Sequence, residues 1–208
     1  VISPDKNAAN IAFSEMKRIE GLLSKYKEDS EISKLNRTGE LRVGEDTFYI
    51  LQKAKEFWQA SDGALDITVG PLMDLWGFTD RRFSVPSKGK IKNVLSIIGF
   101  DKIILHPEDN VVKFMFSGMK LDLGAIAKGY ALDCAVKKLK ENNIHSCLIN
   151  AGGQVYCLGE RLGEPWKIAI KDPRSQDVGG PLKLKNQSVA TSGDYEQYFM
   201  HRNKRYAH

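Results

Sequence analysis

The sequence predicts an α+β fold on three observations. Apolar residues recur at steps of three and four through the helix that ends near Asn142-Asn143, the period then drops to two, and the two patterns are segregated along the chain. A doubly wound parallel sheet would alternate them instead.

The first element runs from about Asp5 to Tyr26, where Ala8, Ala12, Met16, Ile19, Leu23 and Tyr26 mark one helical face. Lys27 to Asn36 reads as a polar stretch. Glu45-Asp46-Thr47 then precedes a second helix through Phe48, Leu51, Ala54 and Trp58, ended by Ser61-Asp62-Gly63. Residues 62–71 alternate apolar and polar as a strand does, with Asp66 and Thr68 on one side, and Gly70-Pro71 and Trp76-Gly77 break up the next stretch of chain. After Pro86, Ile91, Val94, Leu95 and Ile98 predict a short helix stopping at Gly99, then a hairpin of Ile103 to Leu105 and Val111 to Phe116. A third long helix has the face Ala127, Ala131, Cys134, Ala135 and Leu139, and comes after an Asp122 that reads as the end of a strand. Antiparallel strands are predicted at 147–150, 154–158, 166–170, 182–184, 188–191 and 195–200, with the loop from Asp172 to Gly180 as the most mobile segment.

At 208 residues and 42% apolar composition, the chain can form a real core, as one medium domain or two small closely packed ones, and disorder is excluded. The longest apolar runs, such as Val94 to Phe100, are too short to span a bilayer or form a signal-peptide core. Net charge is +5 with the basic residues scattered, which favours acidic ligands mildly and excludes a nucleic-acid footprint. Cys134, Cys147 and Cys157 lack Cys-x-x-Cys spacing and read as small buried hydrophobes. A start at Val1 and a stop at His208, in what looks like a strand, suggest a chain cut at both ends.

Rossmann, P-loop, hydrolase-elbow and zincin motifs are all absent. Four clusters remain. Residues 121–130 put an Asp, small residues and Lys128 at a helix start, which is either an anion site in outline or an Asp cap with tight glycine packing. The others are residues 62–71, Asn150-Ala151-Gly152-Gly153, and Ala190-Thr191-Ser192-Gly193-Asp194-Tyr195. The glycine pair is explained by a tight turn or by close approach to a ligand, and the hydroxyls of the last cluster by a phosphate cap or a turn.

These clusters and their order, with Leu23-Ser24-Lys25-Tyr26 and Ser30-Glu31-Ile32-Ser33-Lys34-Leu35-Asn36, resemble the ApbE family of FAD:protein FMN transferases from about Phe13 to His208. The resemblance implies one ApbE-like domain over residues 1–208, built as tandem T-fold-like units with antiparallel sheets, packed helices and a central ligand cleft. It implies magnesium-dependent transfer of FMN from FAD to a threonine of an acceptor flavoprotein, releasing AMP. The alternatives are an FAD pyrophosphatase and a non-catalytic FAD-binding protein. Residue by residue, it assigns Tyr26, Ala64, Leu65, Asp66, Asp122, Lys128 and Ser192 to FAD, the Ala125 carbonyl to magnesium, and His208 to general-base work. The family's metal-binding Asp and Thr would fall just past His208. A periplasmic, lipid-anchored location through an N-terminal segment absent from this sequence is implied by the same resemblance.

Overall fold

The computed structural model describes residues 1–170, 179–193 and 197–207. In chain order the elements are α1 (Ala8–Leu23), α2 (Glu31–Thr38), β1 (Glu40–Arg42), α3 (Glu45–Ala60), α4 (Gly70–Trp76), α5 (Lys88–Leu95), a 3-10 turn (Phe100–Lys102), β2 (Ile103–His106) and β3 (Val111–Phe114). After these come α6 (Ala127–Glu141), β4 (Cys147–Ala151), β5 (Gln154–Leu158), β6 (Glu160–Arg161), β7 (Glu164–Ile168), β8 (Leu182–Leu184), β9 (Gln187–Ala190), β10 (Tyr198–His201) and β11 (Lys204–Ala207). Every strand pair is antiparallel. The α+β reading therefore holds. No helix among the described residues is long and apolar enough to cross a membrane.

The chain forms two compact units, one from Val1–Arg18 with Lys128–Glu196 and the other from Ile19–Ala127 with Gln197–His208. In the first, β4, β5 and β9 make a sheet in that order. The period of two directs alternate side chains to opposite faces. Cys147 and Ile149 of β4 and Leu158 of β5 bury against Ala8 and Ala12 of α1 and Leu132, Ala135, Val136 and Leu139 of α6. Val155 and Cys157 of β5 turn the other way, to Trp166 of β7 and Leu184 of β8. The Trp166 indole is satisfied by donating to the Leu158 carbonyl at 3.1 Å. Leu139 is fully buried, so cutting it to Ala costs about 2–5 kcal/mol. The three cysteines form no disulfide, and burial pushes the Cys147 thiol up to about 11, as suits a small hydrophobe.

In the second unit, a three-stranded sheet runs β1-β3-β2, and Ile32, Leu35, Leu51, Ile67, Phe100, Val112 and Leu121 are among the unit's fully buried apolar side chains. The β10–β11 hairpin sets Phe199 opposite Tyr206, and these rings stack at 5.2 Å. Phe83 stacks on Phe199 at 5.0 Å and Trp76 lies 5.4 Å from Tyr206, so the hairpin is fastened by aromatic contact.

Two local expectations are corrected. The polar stretch 27–36 contains most of α2. Ser30 caps it by accepting from the Ser33 N–H at 3.0 Å, while Ile32 and Leu35 bury its one apolar face. Residues 62–69 are turns, not a strand: Asp66 takes the Thr68 N–H at 2.8 Å, and Val69 alone makes an isolated bridge before α4 begins. The hairpin at 103–116 and the strands near 147, 154, 166, 182, 188 and 198 form close to where the period of two places them. Most of the segment 172–180 lies outside the described residues.

Candidate functional site

The segment 120–124 of the second unit is held by three parts of the chain that are far away in sequence. Lys120 makes a parallel bridge with Val69, and the Asp122 N–H donates to the Ile67 carbonyl at 2.8 Å. Asn36, the last residue of the Ser30–Asn36 stretch, clamps Leu121 from both sides. Its Oδ1 accepts from the Leu121 N–H at 2.7 Å, and its Nδ2 donates to the Leu121 carbonyl at 3.0 Å. Lys25, at the end of the first helical segment, gives its ammonium to Asp122 Oδ2 at 2.7 Å. Gly70 permits the close approach, because a Cβ there would stand 2.7 Å from the Lys120 carbonyl oxygen.

Asp122 does not end a strand. It comes after the isolated bridge at Lys120 and locks a turn, with Oδ1 accepting from the Gly124 N–H at 2.9 Å. The Ile126 and Ala127 N–H groups both donate to the Leu123 carbonyl and lead into α6. The expectation of an Asp N-cap is corrected, since Asp122 closes a turn ahead of α6 and does not cap the helix, which starts at Ala127. A Cβ on Gly124 would lie 3.1 Å from Asp122 Oδ1, which is the tight glycine packing expected with it.

A chain of charge extends from this turn. Lys25 Nζ also donates to Thr79 Oγ1 at 3.1 Å, and Asp74 Oδ2 accepts from Lys120 at 2.7 Å. Burial alone would raise the Asp74 carboxyl. Hydrogen bonds from Lys120 and Thr79, with the charges of Lys120 and Lys25, more than offset it and hold the group below its ordinary value. Lys25, Asp74, Thr79 and Lys120 have no site role assigned from sequence. Their pairings join positions up to 97 residues apart, and no local pattern announces them.

The other expected residues divide between the units. Tyr26 is exposed, with the Lys25 ammonium 5.1 Å from its ring centroid. Ala64 and Leu65 lie in the turn that closes α3, where their N–H groups donate to the Ser61 carbonyl and hydroxyl, each at 3.0 Å. Asp66 also accepts from the Thr68 hydroxyl at 2.6 Å, and the buried Thr68 in turn accepts from the Gly99 N–H. Ala125 is exposed in the turn before α6.

Lys128, exposed at the second position of α6, and Ser192, exposed after β9, belong to the first unit. In that unit Gly152 and Gly153, at φ 61° and 89°, make the two-residue turn between β4 and β5, and Asn150 Oδ1 accepts from the Gly153 N–H at 3.1 Å. The backbone requirement of the turn accounts for both glycines. His208, Asp194 and Tyr195 lie outside the described residues.

Among the described residues the side chains do not by themselves make up a magnesium site. Magnesium takes about six oxygen ligands in near-octahedral geometry. Among the described residues there is no cluster of three or more His, Cys, Asp or Glu that could hold a metal, and the Asp122 carboxylate is committed to Lys25. The Ala125 carbonyl is one candidate oxygen.

Comparison with known proteins bears on this arrangement. The profile of the ApbE family matches residues 2–208. An FAD:protein FMN transferase of Klebsiella pneumoniae is 35% identical over 99% of this chain and 65% of its own length. One from Haemophilus influenzae is 32% identical over 93% of this chain and 59% of its own length, so this chain spans less than two thirds of these curated relatives. The crystal structure of the ApbE protein of Thermotoga maritima superposes with a TM-score of 0.91 at 38% identity, covering 100% of this chain and 68% of that one. The flavin transferase ApbE of Vibrio cholerae gives a TM-score of 0.82 at 28% identity, over 96% of this chain and 67% of that one.

Proposed function

On the premise that this chain belongs to the ApbE family, we propose that it carries out transfer of FMN from FAD to a threonine hydroxyl of an acceptor flavoprotein, with release of AMP. The observation that carries this reading is the convergence on residues 120–124. Lys25, Asn36 and Ile67–Val69 come from three separate stretches that mark the family in the sequence, and all three bond to that segment directly. Motifs that serve one function are expected to meet at one place in the fold, and these three meet at residues 120–124.

In the reaction, the acceptor oxygen forms a bond to the FMN-side phosphorus as the bond from that phosphorus to the bridging oxygen breaks. AMP leaves with that oxygen, and the threonine proton passes to a base, the role proposed for His208. The pyrophosphate carries about two negative charges, so positioned cations lower the barrier by neutralising it and by fixing the line of attack. Lys128 is the exposed cation proposed to meet it. Tyr26, Ala64, Leu65, Asp66, Asp122 and Ser192 are proposed to hold the remainder of FAD. Magnesium, with the Ala125 carbonyl among its ligands, is part of the proposal. Its remaining ligands would have to be supplied by residues other than the described ones.

The test is incubation of the full-length protein with FAD, magnesium and acceptor flavoprotein domains, followed by a denaturing gel. A fluorescent acceptor band with stoichiometric AMP supports the transferase. AMP and FMN without a band identify a pyrophosphatase, and neither product together with retained FAD on gel filtration identifies an FAD-binding protein.

A further inference from the structure

We propose that Lys25 is a positioning residue of the FAD site, holding the Asp122 carboxylate and the Tyr26 ring in the arrangement that FAD meets. The inference rests on the proposed assignment of Tyr26 and Asp122 to FAD, and it adds a residue to which the sequence assigns no role in the site.

An ammonium has three N–H donors. Lys25 gives one to Asp122 Oδ2 at 2.7 Å and one to Thr79 Oγ1 at 3.1 Å, and stands 5.1 Å from the centroid of the Tyr26 ring. The side chains of Lys25 and Asp122 are only 11% and 13% exposed. A surface pair of this protein such as Arg42–Asp109, at 72% and 39%, contributes little and is screened by salt. The Lys25–Asp122 pair is different in kind, being largely withdrawn from water.

Withdrawal from water makes such a pair poor at adding stability, because desolvation of both charges cancels most of their attraction. What it does supply is direction. Asp122 Oδ1 is fixed by the Gly124 N–H and Oδ2 by Lys25, so the carboxylate has one orientation. Thr79 determines where the ammonium sits, and its hydroxyl is also bonded to Asp74, which Lys120 holds from the next segment. Lys25 therefore acts through Asp122 and Tyr26 and not on phosphate. Its ammonium faces inward at low exposure, whereas Lys128 is exposed.

The experiment is a double-mutant cycle read by FAD titration of the full-length protein, using flavin fluorescence for both affinity and the depth of quenching at saturation. Lys25→Met should weaken FAD binding about tenfold, the size of one charge-assisted hydrogen bond. It should also reduce the quenching at saturation, because the Tyr26 ring is no longer held. In an Asp122→Asn background the same change should cost less than about twofold, since its route through the carboxylate is already gone. Lys25→Arg should recover most of the native quenching.

The doubly neutral variant leaves no orphaned charge, and its far-UV circular dichroism and melting temperature show whether the fold survives. Native affinity and quenching in Lys25→Met overturn the inference. So does an equal loss in both backgrounds, which would mean that the effect of Lys25 does not pass through the Asp122 carboxylate. Failure of the native protein to bind FAD overturns the reading of the site, and this inference with it. Native binding with an unaffected Lys25→Met variant overturns this inference alone.

Discussion

Asp122 and Lys128 are six positions apart and carry opposite charges, yet they answer to different physics. Asp122 is nearly buried and ion-paired, so Asp122→Ala should both weaken FAD binding, if the proposed site is right, and strand the Lys25 ammonium, at a stability cost on the order of 3 kcal/mol. Lys128 is exposed on α6, so Lys128→Ala should leave the melting temperature unchanged while weakening FAD binding by about 10- to 100-fold, the worth of one hydrogen bond to a charged group. Calorimetric titration beside thermal melts separates the two. Unchanged affinity in Lys128→Ala removes it from the site.

Asp74 gives a pH signature at the same scale. Its carboxyl lies below the ordinary value of 3.8, so the stability it contributes is present above that value and is lost as pH falls through the lowered one. Asp74→Asn should accordingly flatten the fall in melting temperature below about pH 4. An acid limb of native steepness in that variant assigns the loss to other carboxylates.

Among the elements, those with long periodic patterns were readable in advance and those built on turn and cap chemistry were not. The helix at 8–23 announces itself because Ala8, Ala12, Ile19 and Leu23 repeat over four turns. The helix at 31–38 has eight residues and two apolar marks, Ile32 and Leu35, too few for a period to be seen above its polar neighbours. Its existence depends on Ser30, whose hydroxyl accepts from the Ser33 N–H and donates to the Ser24 carbonyl at 2.6 Å. Ser30→Ala should therefore cost about 1–2 kcal/mol in urea unfolding, because the cap is lost and the half-buried Ser24 carbonyl keeps only its longer bonds from the Ser33 hydroxyl and the Lys27 N–H, each at 3.3 Å. A loss within error of zero would mean that Ile32 and Leu35 hold the helix unaided.

Residues 62–69 fail in the opposite direction. Their alternation imitates a strand, but Asp66 captures the Thr68 N–H that a strand would offer its neighbour, and the backbone turns. The site inherits both lessons. Tyr26, Asp66 and Asp122 are proposed for the site from the family resemblance of their local motifs, whereas Lys25, Thr79 and Asp74 are brought to it by pairings across the fold.

For the whole molecule, the formal charge of +5 becomes a statement about where an anion binds only when it is tied to particular cations. Most of the positive charge is spread over exposed lysines, and several of these already have carboxylate partners, as in Lys53–Glu56 and Lys138–Glu141. Lys25 is neutralised by Asp122. If FAD is drawn by the general field, raising salt weakens binding of every variant alike, since charges separated by more than about 10 Å are screened at 0.1 M ionic strength. If it is drawn by Lys128 close to the phosphates, the salt dependence belongs to that residue. FAD affinity of the native protein should fall about three- to tenfold between 50 and 500 mM sodium chloride, and the fall should be visibly shallower in Lys128→Ala. Charge reversal at Lys53, which is paired with Glu56 and has no proposed role in the site, controls for the general field and should shift all affinities slightly without changing the slope. Parallel slopes for native protein and Lys128→Ala would show that the net charge, and not Lys128, brings the pyrophosphate to the protein.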